Sequence, residues 1–170
     1  MVFASHDSPR DRAFLEAADQ STGAVVMGRR TFDFIDGPHG WNQEVSYSYD
    51  HPISSLPPIF VVTHEAPAHP RHRGFTYVTD GIEAAVVRAR EAAGEREVVI
   101  MGGASVISQA ISAGLVHRIR IHLSPVLMGS GTPLFDLVEE TFHLIQDDVI
   151  ITPNATHLTY TIDTERRTRR

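Results

Sequence analysis

Three short runs of nearly unbroken apolar and β-branched residues, Ala24 to Met27, Ile59 to Val62 and Val98 to Met101, constrain the fold of this chain more than any other feature. Turn residues bound each run, and polar alternation is missing from all three. Such runs suit strands covered on both faces, as in a mainly parallel sheet. Between the second and third runs lie a short strand, Thr76 to Val78, and then Asp80-Gly-Ile-Glu83. There Asp80 can cap a helix and Glu83 can reach back to complete a capping box. Ile82, Ala85, Val86 and Ala89 share one face of that helix, Arg88, Arg90 and Glu91 take the other, and Gly94 stops it. Its apolar face is predicted to pack on the sheet.

Another helix is expected from Pro9 to Ala18, and one after the Gly102-Gly103 pair is ended by Gly114. Ile119, Ile121 and Leu123 alternate with Arg118, Arg120 and His122 in a half-buried strand. Val149 to Thr152 and Leu158 to Ile162 flank a Pro-Asn turn and read as an antiparallel hairpin. The fold class is therefore α/β, with a mixed, mainly parallel sheet, flanking helices and a C-terminal antiparallel hairpin. Residues 36 to 58 carry Gly37, Pro38, Gly40, Pro52, Pro57 and Pro58 and read as a long loop, with Trp41, Tyr47 and Tyr49 as aromatic surface. It is either a functional loop or a mobile insertion.

With 170 residues and no repeat or low-complexity linker, a single domain spanning 1–170 is expected, comprising an N-terminal helix region at 1–22 and a basic tail at 163–170. The tail reads as a solvated, frayed end. Hydrophobic residues at 42% and charged residues at 21% favour neither disorder nor a membrane class. A formal net charge of −6 gives no general attraction to phosphate polymers or anionic lipid, so nucleic acid and membrane are not expected partners. The absence of cysteine excludes disulfides, thiolate catalysis and the Cys-dependent zinc deaminases. Neither a membrane span nor a secretory signal is visible, which makes a cytoplasmic location the expectation. Pro67 and Pro70 break any helix that would align His64, His69 and His72, so no metal site is expected.

The chemistry-bearing segments lie where apolar runs end. In Val98-Val-Ile-Met-Gly-Gly-Ala-Ser-Val106 a buried strand meets two glycines and a helix starting at about Ser105. Glycines let a phosphate approach the backbone, and the free amides and dipole of a helix N-terminus favour its charge. A tight turn without a ligand would have the same pattern. In Ala24-Val-Val-Met-Gly-Arg-Arg-Thr31 a second strand ends in glycine, two arginines and a hydroxyl, groups suited to phosphate oxygens and equally at home in a solvated loop. Thr63 and His64 follow the Ile59 strand and could hold an additional phosphate of the kind that marks NADP, or be ordinary loop residues. No Gly-x-Ser-x-Gly elbow or Gly-Lys-Ser/Thr loop is present, leaving redox by a bound cofactor as the chemistry to consider.

The ordered set Val26-Met-Gly-Arg-Arg-Thr-Phe32, Ile59 to Thr63 and Ile100-Met-Gly-Gly-Ala-Ser-Val106 resembles the dihydrofolate reductase-like superfamily. Ile121-His-Leu-Ser-Pro-Val-Leu-Met-Gly-Ser-Gly-Thr-Pro-Leu-Phe135 resembles the branch typified by the reductase domain of bacterial riboflavin biosynthesis, the RibD C-terminal domain. The resemblance runs from about Gly23 to Ile162 and implies a three-layer fold that binds NADPH and delivers hydride to a pterin- or pyrimidine-like ring, or to its attached sugar imine. It would place Gly28, Arg29, Arg30 and Thr31 on adenosine or pyrophosphate groups, and Thr63 and His64 on the 2′-phosphate. Gly102, Gly103, Ala104, Ser105 and Val106 would hold the pyrophosphate and nicotinamide side, with Leu127 to Thr132 bordering the cleft.

Members of this family open with a strand and a Ser-Leu-Asp-Gly-like turn that fill a central sheet position and wall the substrate pocket. This chain instead runs from Met1-Val-Phe-Ala-Ser-His-Asp-Ser-Pro9 directly into a helix. A missing central strand leaves two rows of backbone groups to pair or solvate, so either a truncated product or another segment that fills the gap is expected. The expected function is thus an NADPH-dependent reductase of a small molecule, the alternative being a cofactor-binding or regulatory module without catalysis. Asp36, His39 and His122 are nominal proton donors, none favoured over water, so the catalytic residue stays open. A homodimer is expected through an edge strand such as Arg118 to Leu123 or the C-terminal pair.

Overall fold

The structure, a computed structural model, describes residues 8–42, 46 and 56–169. Along the chain run α1 (Pro9–Ser21), β1 (Thr22–Gly28), α2 (Arg29–Asp36), β2 (Ile59–Val62), β3 (Phe75–Val78), α3 (Gly81–Ala93), β4 (Glu97–Ile100), α4 (Ala104–Ser112), β5 (Arg118–Leu123), β6 (Glu140–Ile151) and β7 (Thr156–Arg169).

The three apolar runs are β1, β2 and β4 of a parallel sheet ordered β3-β2-β1-β4. β1 is central and every one of its residues is buried. Its side chains alternate between two cores. Ala24 and Val26, with Phe60 and Val78, meet Ile82, Ala85, Val86 and Ala89 of α3 and Val106 and Ala110 of α4. Val25 and Met27, with Ile59 and Val61, meet Phe32 and Ile35 of α2 and Trp41. Helices on both faces explain why these strands lack polar alternation. Phe32 anchors the second core, its ring meeting those of Phe75 and Tyr77 edge-on at 5.2 and 5.4 Å.

The helix after Asp80 forms with its predicted buried face, and Gly94 at φ +61° ends it. The predicted capping box does not form, because the Asp80 side chain makes no cap bond and instead accepts from Arg88 Nη2 at 2.9 Å. An arginine two turns along the helix outcompetes the local amides for the carboxylate. Trp41 is also corrected, from surface aromatic to core residue, since it folds beneath Phe32 and Ile35. Tyr47 and Tyr49 lie outside the described residues.

The remaining strands form a second, antiparallel sheet ordered β5-β7-β6. The C-terminal hairpin is present and longer than expected, with Ile151 paired to Thr156 at the turn and Glu140 to Arg169 at the far end. Residues 163–169, expected as a frayed tail, are therefore strand, because the ladder with β6 runs on from His143 to Glu140. In β5, Ile119 and Ile121 are half-buried, whereas Leu123, expected on the same face, is 59% exposed. Where one mixed sheet was expected there are two, because no strand among the described residues lies between β4 and β5. Glu97 spans the gap at one end, bound by Arg118 and Arg120, each at 3.0 Å.

Candidate functional site

Because β1 and β4 are hydrogen-bonded neighbours, the helices that follow them start side by side. Met101 N donates to Val26 O at 2.8 Å and Gly28 N to Gly102 O at 3.3 Å, carrying the ladder past the last strand residues. Gly28 is the N-cap of α2 and Gly103 that of α4, and neither helix has a side-chain cap. The first amides of both helices therefore need partners from outside the helix, and they open at one edge of the sheet.

Glycine is required here for space and for conformation. A Cβ on Gly28 would lie 2.8 Å from Val106 Cγ2, so the end of β1 can sit against α4 only without a side chain. Gly102 has φ +65° and is joined to Gly103 by a cis peptide bond. Thr31 Oγ1 faces the pair, 3.7 and 3.6 Å from the positions a Cβ would take on Gly102 and Gly103. Gly28, Thr31, Gly102, Gly103 and Val106 thus form one cluster, with Ala104 and exposed Ser105 in the first turn of α4 beside it.

Arg29 and Thr63 make a second group. The Arg29 guanidinium donates to Asp33 Oδ1 at 2.7 Å, to Glu65 O at 2.8 Å and to Thr63 Oγ1 at 3.3 Å. Thr63 Oγ1 in turn donates to Glu65 O at 2.7 Å. These bonds fix the guanidinium across the ends of β1 and β2 and occupy the threonine hydroxyl within the protein. Arg30 and His64 are exposed.

The gap between β4 and β5 is a cavity of about 1380 Å³ that reaches Met101 and Gly102, just past the end of β4 and next to Gly103, the N-cap of α4. Leu15 of α1, Ile107 and Ile111 of α4, Ile119 and Ile121 of β5 and Phe135 give it apolar walls. Arg12, Arg90, Arg118 and Arg120 add positive charge, countered by Glu16, Asp19 and Glu97. Such a space, apolar with a few polar groups, suits a small ring-shaped ligand.

Of the nominal proton donors, Asp36 clips a loop, accepting from the amides of Arg71 at 2.9 Å and His72 at 2.7 Å. His39 sits on an exposed turn. His122 lines the cavity, and its Nδ1 lies 2.7 Å from His157 Nδ1, while His157 Nε2 lies 2.7 Å from Asp11 Oδ1. Asp11 and His157 are fully buried. Burial raises the Asp11 pKa, but hydrogen bonds from His157, Thr152, Asn154 and Ser8 outweigh it and bring the value down to about 2. Burial, then the charges of His157 and Arg120, lower that of His122. The sequence pattern singles out neither Asp11 nor His157. They are 146 residues apart, and no motif spacing links them.

Parallel strands whose ends feed paired helix N-termini form an open α/β edge of the kind outside whose carboxyl strand ends ligands bind. The chain belongs to the RibD C-terminal domain family, whose model matches residues 4–157. Among curated proteins it is 34% identical over 68 residues to the uncharacterised protein YyaP of Bacillus subtilis (strain 168), a match spanning 40% of this chain and 36% of that one. In fold it is similar to a protein of Shewanella sp. PV-4 assigned to riboflavin biosynthesis, with TM-score 0.68 and 21% identity over 94% of this chain and 82% of the other. A pyrimidine reductase-like protein of Corynebacterium diphtheriae gives TM-score 0.57 at 18% identity, covering 95% of this chain and 83% of its own. RibD of Acinetobacter baumannii gives 0.63 at 15%, with 94% of this chain and 52% of that protein covered. These likenesses confirm the three-layer α/β fold. Among the described residues, no helix is long and apolar enough to cross a membrane.

Proposed function

We propose that this chain is an NADPH-dependent reductase that transfers hydride to a small pterin- or pyrimidine-like substrate. The observation that carries this reading is the pairing of two uncapped helix N-termini, α2 and α4, at the edge of a cavity large enough for a ring system. The residues fit the cofactor. A Cβ on Gly102 or Gly103 would meet only Thr31 Oγ1 among the described residues, so the backbone there is open to a ligand, and the free amides of α2 and α4 suit a pyrophosphate. Arg29, held across β1 and β2, supplies positive charge on the side where an adenosine phosphate would lie.

When bound, a nicotinamide supplies the hydride; the protein's task is to orient and to exclude water. Gly102 and Gly103 let a ligand approach the end of β4, Thr31 offers a hydroxyl beside them, and Ile107, Ile119 and Ile121 give apolar surface against which a ring would pack. The test is anaerobic mixing with NADPH and dihydrofolate or a ribosylaminopyrimidine, following reduced-nicotinamide absorbance. Substrate-dependent oxidation is expected, and absence of NADPH binding would refute the reading.

The open gap between β4 and β5 favours a second reading, a module that binds NADPH without turnover, because the wall a central strand would supply is missing among the described residues. Tight NADPH binding without oxidation of any substrate would select it. We further propose a homodimer. Leu144, Val149 and Ile151 of β6, paired with Ile162, Leu158 and Thr156, share one face and are 41, 37 and 67% exposed, an apolar surface that a second copy would cover. A sedimenting species of twice the chain mass at micromolar concentration is expected, and a monomer alone would overturn this.

A further inference from the structure

We propose that Asp11, His157 and His122 form a relay that takes up one proton as a unit and offers it, at His122 Nε2, to a ligand in the cavity between β4 and β5. The relay itself stands on geometry. The reductase reading enters only in naming the recipient, the substrate atom beside the one that receives hydride.

The chain of contacts fixes where protons can sit. Buried Asp11 is held ionised by its hydrogen bonds, so its carboxylate accepts and His157 Nε2 carries a hydrogen. The 2.7 Å contact between the two Nδ1 atoms holds one hydrogen, since two would collide and none would leave facing lone pairs. With both rings neutral, that hydrogen belongs to His122 Nδ1, because His157 has already used its own on Asp11. His122 Nε2 is then a bare lone pair, and no protein hydrogen bond to it exists among the described residues.

A proton arriving at Nε2 makes His122 cationic. Transfer of the Nδ1 hydrogen to His157 then moves the charge inward, to an imidazolium against the Asp11 carboxylate, and leaves His122 neutral with hydrogen on Nε2. The unit passes from one net negative charge to neutral, so the stored proton adds no uncompensated buried charge. Donation to a ligand reverses these steps, and the transferred proton bonds to the acceptor atom. Phe14 keeps the rings in register, stacked on His157 at 4.6 Å and edge-on to His122 at 5.6 Å. The charged groups facing the unit are Arg120 on β5, itself bound to Glu97, and Arg12 on α1, which lines the same cavity. His122 would be the catalytic residue; His157 and Asp11 would be positioning residues.

The test is long-range nitrogen–proton NMR on the full chain with labelled histidine, titrated from about pH 9 to about pH 5. Expected are hydrogen on His122 Nδ1 and His157 Nε2 at the alkaline end and a single midpoint shared by both rings. Asp11→Asn should lower that midpoint by about one unit or more by removing the countercharge. If that variant does not fold, His157→Gln serves instead and should shift the His122 midpoint by at least about half a unit. Independent midpoints insensitive to these changes, or hydrogen on His122 Nε2 at the alkaline end, would overturn the relay. With a turned-over substrate in hand, His122→Gln should lower kcat about a hundredfold and leave NADPH affinity within about twofold. An unchanged kcat would overturn proton delivery. Failure of the wild-type chain to bind NADPH would strike the reductase reading alone, because the NMR titration tests the relay without any ligand.

Discussion

Replacing Gly28 by alanine should damage stability and cofactor binding together, because one contact controls both. The backbone of Gly28, at φ −84° and ψ 161°, is open to alanine, so the cost is steric and not conformational. The added Cβ would sit 2.8 Å from Val106 Cγ2, whereas carbon atoms settle at about 3.5–4.0 Å. Either the end of β1 or the first turn of α4 must therefore move by about 1 Å. Overpacking of this kind costs about 1–3 kcal/mol, against which the stiffer unfolded chain returns about 0.4–1 kcal/mol, leaving a net loss of about 1.5 kcal/mol. The same displacement spreads the N-termini of α2 and α4, and a comparable loss in binding is about a tenfold rise in the NADPH Kd. Urea unfolding and fluorescence titration with NADPH measure the two effects. Val106→Ala removes the obstructing methyl group and on its own should cost about 2 kcal/mol as a cavity. The double variant should be more stable than additivity allows by about 1–2 kcal/mol. A Gly28→Ala protein within about 0.5 kcal/mol of wild type, or strictly additive costs, would refute this steric account.

Phe32→Ala should cost about 3–5 kcal/mol in urea unfolding, since the ring is 1% exposed and in contact with two others; a loss below about 1 kcal/mol would show that the second core is less tightly packed than described. The depressed Asp11 pKa means that its ionised form favours the folded state, so this stabilisation is complete above the ordinary carboxylate value of 3.8 and fades as pH falls toward about 2. The urea midpoints of wild type and Asp11→Asn should therefore converge as pH drops through that window; a gap that widens would contradict the sign. Glu97→Gln should cost about 1 kcal/mol, because the arginine pairs it loses are partly exposed, and salt should shrink the difference.

The parallel half of the fold was legible because burial on both faces leaves its mark directly on the sequence. Val25 and Val26 point to opposite cores, yet both must be apolar. The α3 face was legible for the same reason at helical spacing. What escaped reading depends on contacts between distant residues. Trp41 sits among glycines and prolines with no period to show that it turns inward. Residues 163–169 carry the charge of a solvated tail, yet the chain there pairs in register with Glu140 to His143, far off in sequence. The glycine-rich strand ends were recognisable singly; that Gly28 and Val106 touch, and that Arg29 reaches Thr63, follows from the strand order β2-β1-β4. The Asp11–His157–His122 chain joins the first helix to two strands of the other sheet, a coincidence in space that no local pattern records.

Division of the strands into two sheets also bears on how the molecule comes apart. Both apolar cores belong to the parallel half, while β6 is exposed along most of its length and is held chiefly by its ladder with β7. Amide hydrogens of β1 should then exchange only through global unfolding, and those of β6 through a cheaper opening that leaves the parallel half intact. The two halves would then open as separate cooperative units, coupled through α1, Glu97 and any ligand in the cavity. A ligand that fills the space between β4 and β5 would slow exchange in β5 and β7 far beyond its own contacts. Occupancy of the site would be readable in the antiparallel half as a gain in cooperativity.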